Sequence, residues 1–235
     1  MITKRDRAIV GGALCLLVTV AWLYTIRTSS GMVYMGAQYA FGMWIAMMVA
    51  MMTPSAAPMV FAFSRVSRSR TGMDAVLGGV GVFLLGYLTL WTGFSLLAAG
   101  AETLLDRYRL LSPMGTSTSS LLSAAVLLAA GFYQFSPWKY ACLSKCRAPL
   151  GFLLTEWREG WSGAFIMGLR HGLFCAGCCW LIMAIMFVAG LMNLAWIAVL
   201  TLIVLAEKML PHGRWVSDLI GAAAVLCGTW FLVRG

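Results

Sequence analysis

Residues 39–63 read YAFGMWIAMMVAMMTPSAAPMVFAF, twenty-five consecutive positions without a charged side chain. About 20 apolar residues of helix cross the roughly 30 Å hydrocarbon core of a bilayer, so this run is long enough to span one. In lipid, every backbone N–H and C=O must be satisfied within the segment, which predicts a helix. Pro54 and Pro58 each remove a helical donor and leave the carbonyls of Ala50 and Pro54 to bond elsewhere, so a kink is expected there.

Comparable runs lie on both sides of it: 9–26, 76–100, 121–135, 161–192, 194–205 and 216–233. Together they predict an all-α, polytopic transmembrane helix bundle of about seven helices (six to eight), a single integral membrane domain over 1–235. Composition agrees. The chain is 61% hydrophobic and 11% charged, against about 25% charged in a soluble domain. Without lipid it could not cover its apolar surface. The 9–26 run follows Lys4, Arg5 and Arg7 as a signal peptide would. It is long for one, however, and no small-x-small cleavage site precedes Arg27, so a retained helix is expected.

Charge placement tests the helix count separately. With the N-terminus in the cytoplasm, seven crossings put four segments inside: the N-terminus, 64–75, 136–160 and 206–215. These hold 12 of the 17 Lys and Arg residues. Arg27, Arg107, Arg109 and Arg234 fall outside, and Arg170 lies within a span. Cytoplasmic loops are the ones enriched in Lys and Arg, so the bias predicts an N-in, multi-pass protein of the bacterial inner (plasma) membrane. The net charge of +9 is then a topology signal spread over short loops, and no nucleic-acid partner is expected.

The 161–192 run is longer than a bilayer core is thick, and Arg170-His171-Gly172 and Gly177 sit in its middle. Either it is one tilted helix that projects into the cytoplasm, or it breaks near Gly172–Gly177 and is re-entrant. An ionisable pair at membrane depth marks a functional site by default.

Five of the seven cysteines fall in two short stretches. Cys142 and Cys146 end the segment after the fourth run. His171, Cys175, Cys178 and Cys179 occupy helical positions 0, 4, 7 and 8, one face of a helix. Imidazole and thiolate suit soft or borderline metals. A cytoplasmic setting keeps such thiols reduced. Cys15 and Cys227 stand alone in apolar runs and read as packing.

Methionine extends the pattern. Met43, Met47 and Met51 form an i, i+4, i+8 stripe with Met48 and Met52 beside it, and Met183 and Met186 continue the face of Cys179. Thioethers hold copper(I) and disfavour hard cations, so these methionines are auxiliary ligands or apolar filler. Gln134 could orient a ligand or cap its helix. Glu207-Lys208, ahead of Pro211 and His212, reads as an ion pair at a membrane exit. Gly78, Gly79, Gly81 and Gly86 favour close helix contact, and their spacing has no strand context for nucleotide binding.

Four segments carry a resemblance. They are Met43-Trp-Ile-Ala-Met-Met-Val-Ala-Met-Met-Thr-Pro-Ser-Ala-Ala-Pro-Met59; Gly131-Phe-Tyr-Gln-Phe-Ser-Pro-Trp-Lys139 with Cys142, Cys146, Arg147 and Pro149; Gly168-x-x-His171-Gly-x-x-Cys175-x-Gly-Cys-Cys-Trp180; and Glu207-Lys208. In this order, over about residues 39–211, the chain resembles a bacterial family of predicted metal-binding integral membrane proteins. The resemblance implies metal binding through Cys142, Cys146, His171, Cys175, Cys178 and Cys179 and leaves the reaction open.

The expected function is metal handling in the membrane: copper(I), favoured over zinc, bound for transport, delivery or maturation of a metalloprotein. The bilayer and a metallochaperone or metalloprotein client are the expected partners, and no catalytic residues are assigned. Two alternatives stand beside this. One is a membrane thiol-disulfide oxidoreductase using Cys142, Cys146, Cys175 and Cys178; the other is a structural membrane subunit. The absence of a nucleotide motif disfavours ATP-driven transport by this chain alone.

Overall fold

The computed structural model describes residues 4–30, 36–70 and 73–234. Its helices are α1 (Lys4–Ser30), α2 (Gly36–Arg70), α3 (Met73–Arg107), α4 (Ser120–Gln134), α5 (Pro137–Arg147), α6 (Pro149–Glu156), α7 (Gly160–Ala184), α8 (Met186–Ala189), α9 (Leu194–Met209) and α10 (Gly213–Arg234). The described residues form no sheet, and all seven apolar runs are helical.

Among the described residues, five helices are long and apolar enough to cross a membrane. The count becomes six when α4 and α5, bent by 63° at their junction, are taken as one span. Six is the lower bound of the number expected from the sequence. The difference lies in α4 and α9, which have only 15 and 16 residues. Local chemistry stops both. Ser136 accepts from the Lys139 N–H at 3.1 Å and Pro137 opens α5 without an N–H of its own, so α4 cannot run on. Asn193 caps α9 by accepting from the Trp196 N–H at 3.3 Å, and Pro211 follows its other end.

The long run through 161–192 stays helical across Gly172 and Gly177; the interruption falls at Ile185 and at Gly190, whose φ is +99°. The mid-helix glycines serve contact instead. A Cβ on Gly168 would strike the Phe83 carbonyl of α3, and one on Gly86 of α3 would strike the Phe165 carbonyl of α7. These two glycines let α3 and α7 lie backbone to backbone along much of their length. α2 likewise continues as helix through Pro54 and Pro58.

Outward faces carry Leu16, Leu97, Leu121, Leu202, Leu226 and Val233, an apolar exterior suited to hydrocarbon. Inside, one cluster gathers Trp44, Met47, Met48, Met51, Met52, Tyr87, Trp91, Cys175, Cys178, Cys179 and Met183 from α2, α3 and α7. A second gathers Met59, Phe63, Phe83, Phe152 and Met167.

The short helices create a step. α9 starts beside the 108–119 loop, where the Met192 N–H reaches the Met114 carbonyl at 3.4 Å. By Lys208 it has reached Ser55, midway along α2. α4 starts where the Ser117 N–H meets the Phe187 carbonyl at 2.8 Å and ends with Gln134 against Glu207 of α9. Thus α4, α9 and the α5 turn all end at one level, and α2 and α7 run past it.

Candidate metal centre

The cysteines of α7 lie at that step. Their 0, 4, 7, 8 spacing puts His171, Cys175, Cys178 and Cys179 on the inward face, all at most 2% exposed. The α2 stripe faces them, and Met43, Met47, Met48, Met51 and Met52 are equally buried. The two faces meet at Cys179 and Met52, where Sγ and Sδ are 3.9 Å apart. Metal–sulfur bonds run to about 2.3 Å, so one soft ion reaches both sulfurs at that separation. The thiol- and thioether-rich surroundings suit copper(I) and offer little to a hard cation.

Cys175 has the most polar surroundings of the three. The Lys208 Nζ lies 2.9 Å from its sulfur and 3.0 Å from Ser55 Oγ. Tyr87 Oη lies 3.1 Å from the same sulfur and donates to the Met52 carbonyl at 3.0 Å. The Cys178 and Cys179 thiols both turn back to the Cys175 carbonyl, at 3.1 and 3.0 Å. That is the usual resting state of a helical thiol with no stronger partner.

α5 adds the other pair. Cys146, half-buried, packs against the cluster that holds Cys178. Cys142 packs on Gly177, where a Cβ would come within 2.7 Å of its sulfur. Gly177 is therefore what allows α5 to approach α7 here, and the Tyr133 hydroxyl donates to the Gly177 carbonyl at the same place. All seven cysteines are free thiols, with Cys15 and Cys227 on the exterior.

His171 lies among Phe83, Tyr87 and Phe152, with ring centroids 6.2, 5.6 and 5.7 Å away, and its Nδ1 has no hydrogen-bond partner among the described residues. Across the described residues, no three His, Cys, Asp or Glu side chains converge on a single ion position. The sulfur-rich region is a run of near neighbours rather than a closed cage. Met183, further along α7, and Met186, at the start of α8, line the same cluster.

Gln134 neither faces the thiols nor caps α4, whose last turn is closed by the Phe135 N–H. It accepts from Lys139 Nζ and donates to Glu207 Oε1 at 3.2 Å. Glu207 takes Lys139 Nζ on both oxygens, at 2.7 and 2.8 Å, and the Ser217 hydroxyl at 2.9 Å. Lys139 and Glu207 are at most 1% exposed. The Glu207-Lys208 pair expected from the sequence is thus two separate contacts: Glu207 holds α4, α5 and α10 together, while Lys208 turns to Cys175. Consecutive helical residues point about 100° apart and do not face each other. That rule was the available signal for Lys208. Tyr87 and Ser55 gave none, being one aromatic and one serine in apolar runs.

A family model described as PpoB2, copper chaperone, matches residues 41–231. No curated protein and no solved structure matches the chain.

Proposed function

Since the chain belongs to the PpoB2 copper chaperone family, we propose that it is a multi-pass protein of the bacterial inner membrane that binds copper(I) and delivers it to a metalloprotein client. The observation that carries this reading is the buried contact of Cys179 with Met52, 3.9 Å apart, at the junction of a thiol face and a thioether face. Copper(I) is preferred to zinc because the nearest auxiliary donors are methionines, which zinc does not seek.

In this account copper(I) is cargo. The α2 methionines Met43, Met47, Met48 and Met51 give weak, exchangeable ligands along the bundle. Cys175, Cys178 and Cys179, with Cys142 and Cys146 across from them, give stronger ones at the step. Weak binding on one side and stronger binding on the other gives the ion a direction without ATP. His171 stands one turn before Cys175, and its free Nδ1 makes it a further ligand. The N-terminus lies in the cytoplasm, as the Lys and Arg bias requires. The step between short and long helices then faces the compartment that keeps thiols reduced.

X-ray absorption on the copper-loaded protein under reducing conditions tests this. A first shell dominated by sulfur is expected, with fewer sulfurs in Met52→Leu. A shell of nitrogen and oxygen alone would overturn it. The oxidoreductase alternative retains one supporting observation, the packing of Cys146 against the cluster that holds Cys178. A trapped mixed disulfide with a client would favour it.

A further inference from the structure

Lys208 is a buried cation whose neighbours are unusual. An ammonium has three donors and no acceptor, and taking it out of water is costly unless a counter-charge meets it. The carboxylate next to it in sequence does not serve. Glu207 is already taken by Lys139, Gln134 and Ser217 on another side of α9. Lys208 instead donates to Ser55 Oγ at 3.0 Å and to Cys175 Sγ at 2.9 Å, and is 9% exposed. Ser55 is neutral, so the sulfur is the one contact that can carry negative charge. Thiolate is also the form in which cysteine binds metal.

We infer that Lys208 is a specificity residue for the proposed cargo: its ammonium holds the cation position against Cys175 while the site is empty, and copper(I) replaces it charge for charge. This rests on the copper(I) reading above. The displaced ammonium stays tethered to α9 beside the site and repels an incoming ion in proportion to that ion's charge, so a divalent ion meets about twice the repulsion that copper(I) meets. Lys208 lies in the last turn of α9, so its four-carbon stem can swing the ammonium toward the polar end of the helix without moving the backbone. Selectivity for monovalent ions thus comes from a competing side chain added to the soft ligand set.

The test compares copper(I) and zinc(II) affinities of the detergent-purified protein, by chelator competition under reducing conditions, for wild type, Lys208→Leu and Lys208→Arg. Lys208→Leu, which removes the charge without adding a metal ligand, is expected to lower the copper-to-zinc affinity ratio by about tenfold or more, and Lys208→Arg to keep it. An unchanged ratio in Lys208→Leu, with copper still bound, overturns the inference and leaves the copper reading standing. No copper binding by wild type overturns both. A second measurement needs no variant: acylation of Lys208 by an amine reagent, mapped by mass spectrometry, with and without silver(I) as a redox-inert monovalent probe. Labelling should rise when the ion binds; labelling that stays the same also overturns the inference.

Discussion

Replacing Glu207 by leucine removes the carboxylate on which three helices converge. Lys139 is 0% exposed and would retain only the Gln134 side-chain oxygen as acceptor. Breaking a buried ion pair from one side costs about 3–5 kcal/mol, because an uncompensated charge remains. For a chain of this size each kcal/mol shifts the melting temperature by about 2–4 °C, so Glu207→Leu should melt about 6–20 °C lower. Lys139→Met in the same background removes the stranded ammonium. The double variant should recover at least half of the loss, since apolar groups of similar volume often replace a buried pair without penalty. Thermal unfolding of the detergent-solubilised protein, followed by circular dichroism, reads all four corners of the cycle. A double variant as unstable as the sum of the singles would refute the reasoning, because it would mean that Lys139 and Glu207 contribute through separate contacts.

Gly168→Leu should abolish monodisperse protein in size-exclusion chromatography, since its side chain would meet the Phe83 backbone, whereas Gly81→Leu, with open space around it, should be tolerated. Met52→Leu keeps the packing volume and removes the thioether beside Cys179; copper(I) affinity should fall about tenfold in chelator competition, with zinc affinity unchanged. A reporter fused to the N-terminus should be active only in its cytoplasmic-sensing form, and a thiol introduced at Arg158 should be labelled only after the membrane is permeabilised.

The fold was legible where it depends on local physics. Runs such as 39–63 and 76–100 have no stable state in water, and lipid leaves a helix as the only way to satisfy their backbones. Ser136-Pro137 ends α4 by local physics too, as a cap followed by a residue without a donor. Glycines were ambiguous. Gly172 and Gly177 weaken a helix and also permit close approach, and only the positions of Leu90 and Cys142 decide for approach. The site was half legible. One-face spacing brought Cys175, Cys178 and Cys179 together, because helical periodicity is enough for that. Their pairing with Met52, Tyr87 and Lys208 joins residues 127, 88 and 33 positions apart, and no periodicity encodes it. Gln134 misled because a polar residue ahead of a cysteine pair suggests a ligand. A buried lysine five residues along, at position 139, was the competing partner.

The most direct measurement is copper content per protein chain after purification under reducing conditions and loading with copper(I), wild type beside Cys175→Ser/Cys178→Ser/Cys179→Ser. The account predicts stoichiometric copper in wild type and its loss in the triple variant, with both proteins eluting as folded species. Copper retained equally by both, or bound by neither, would contradict it.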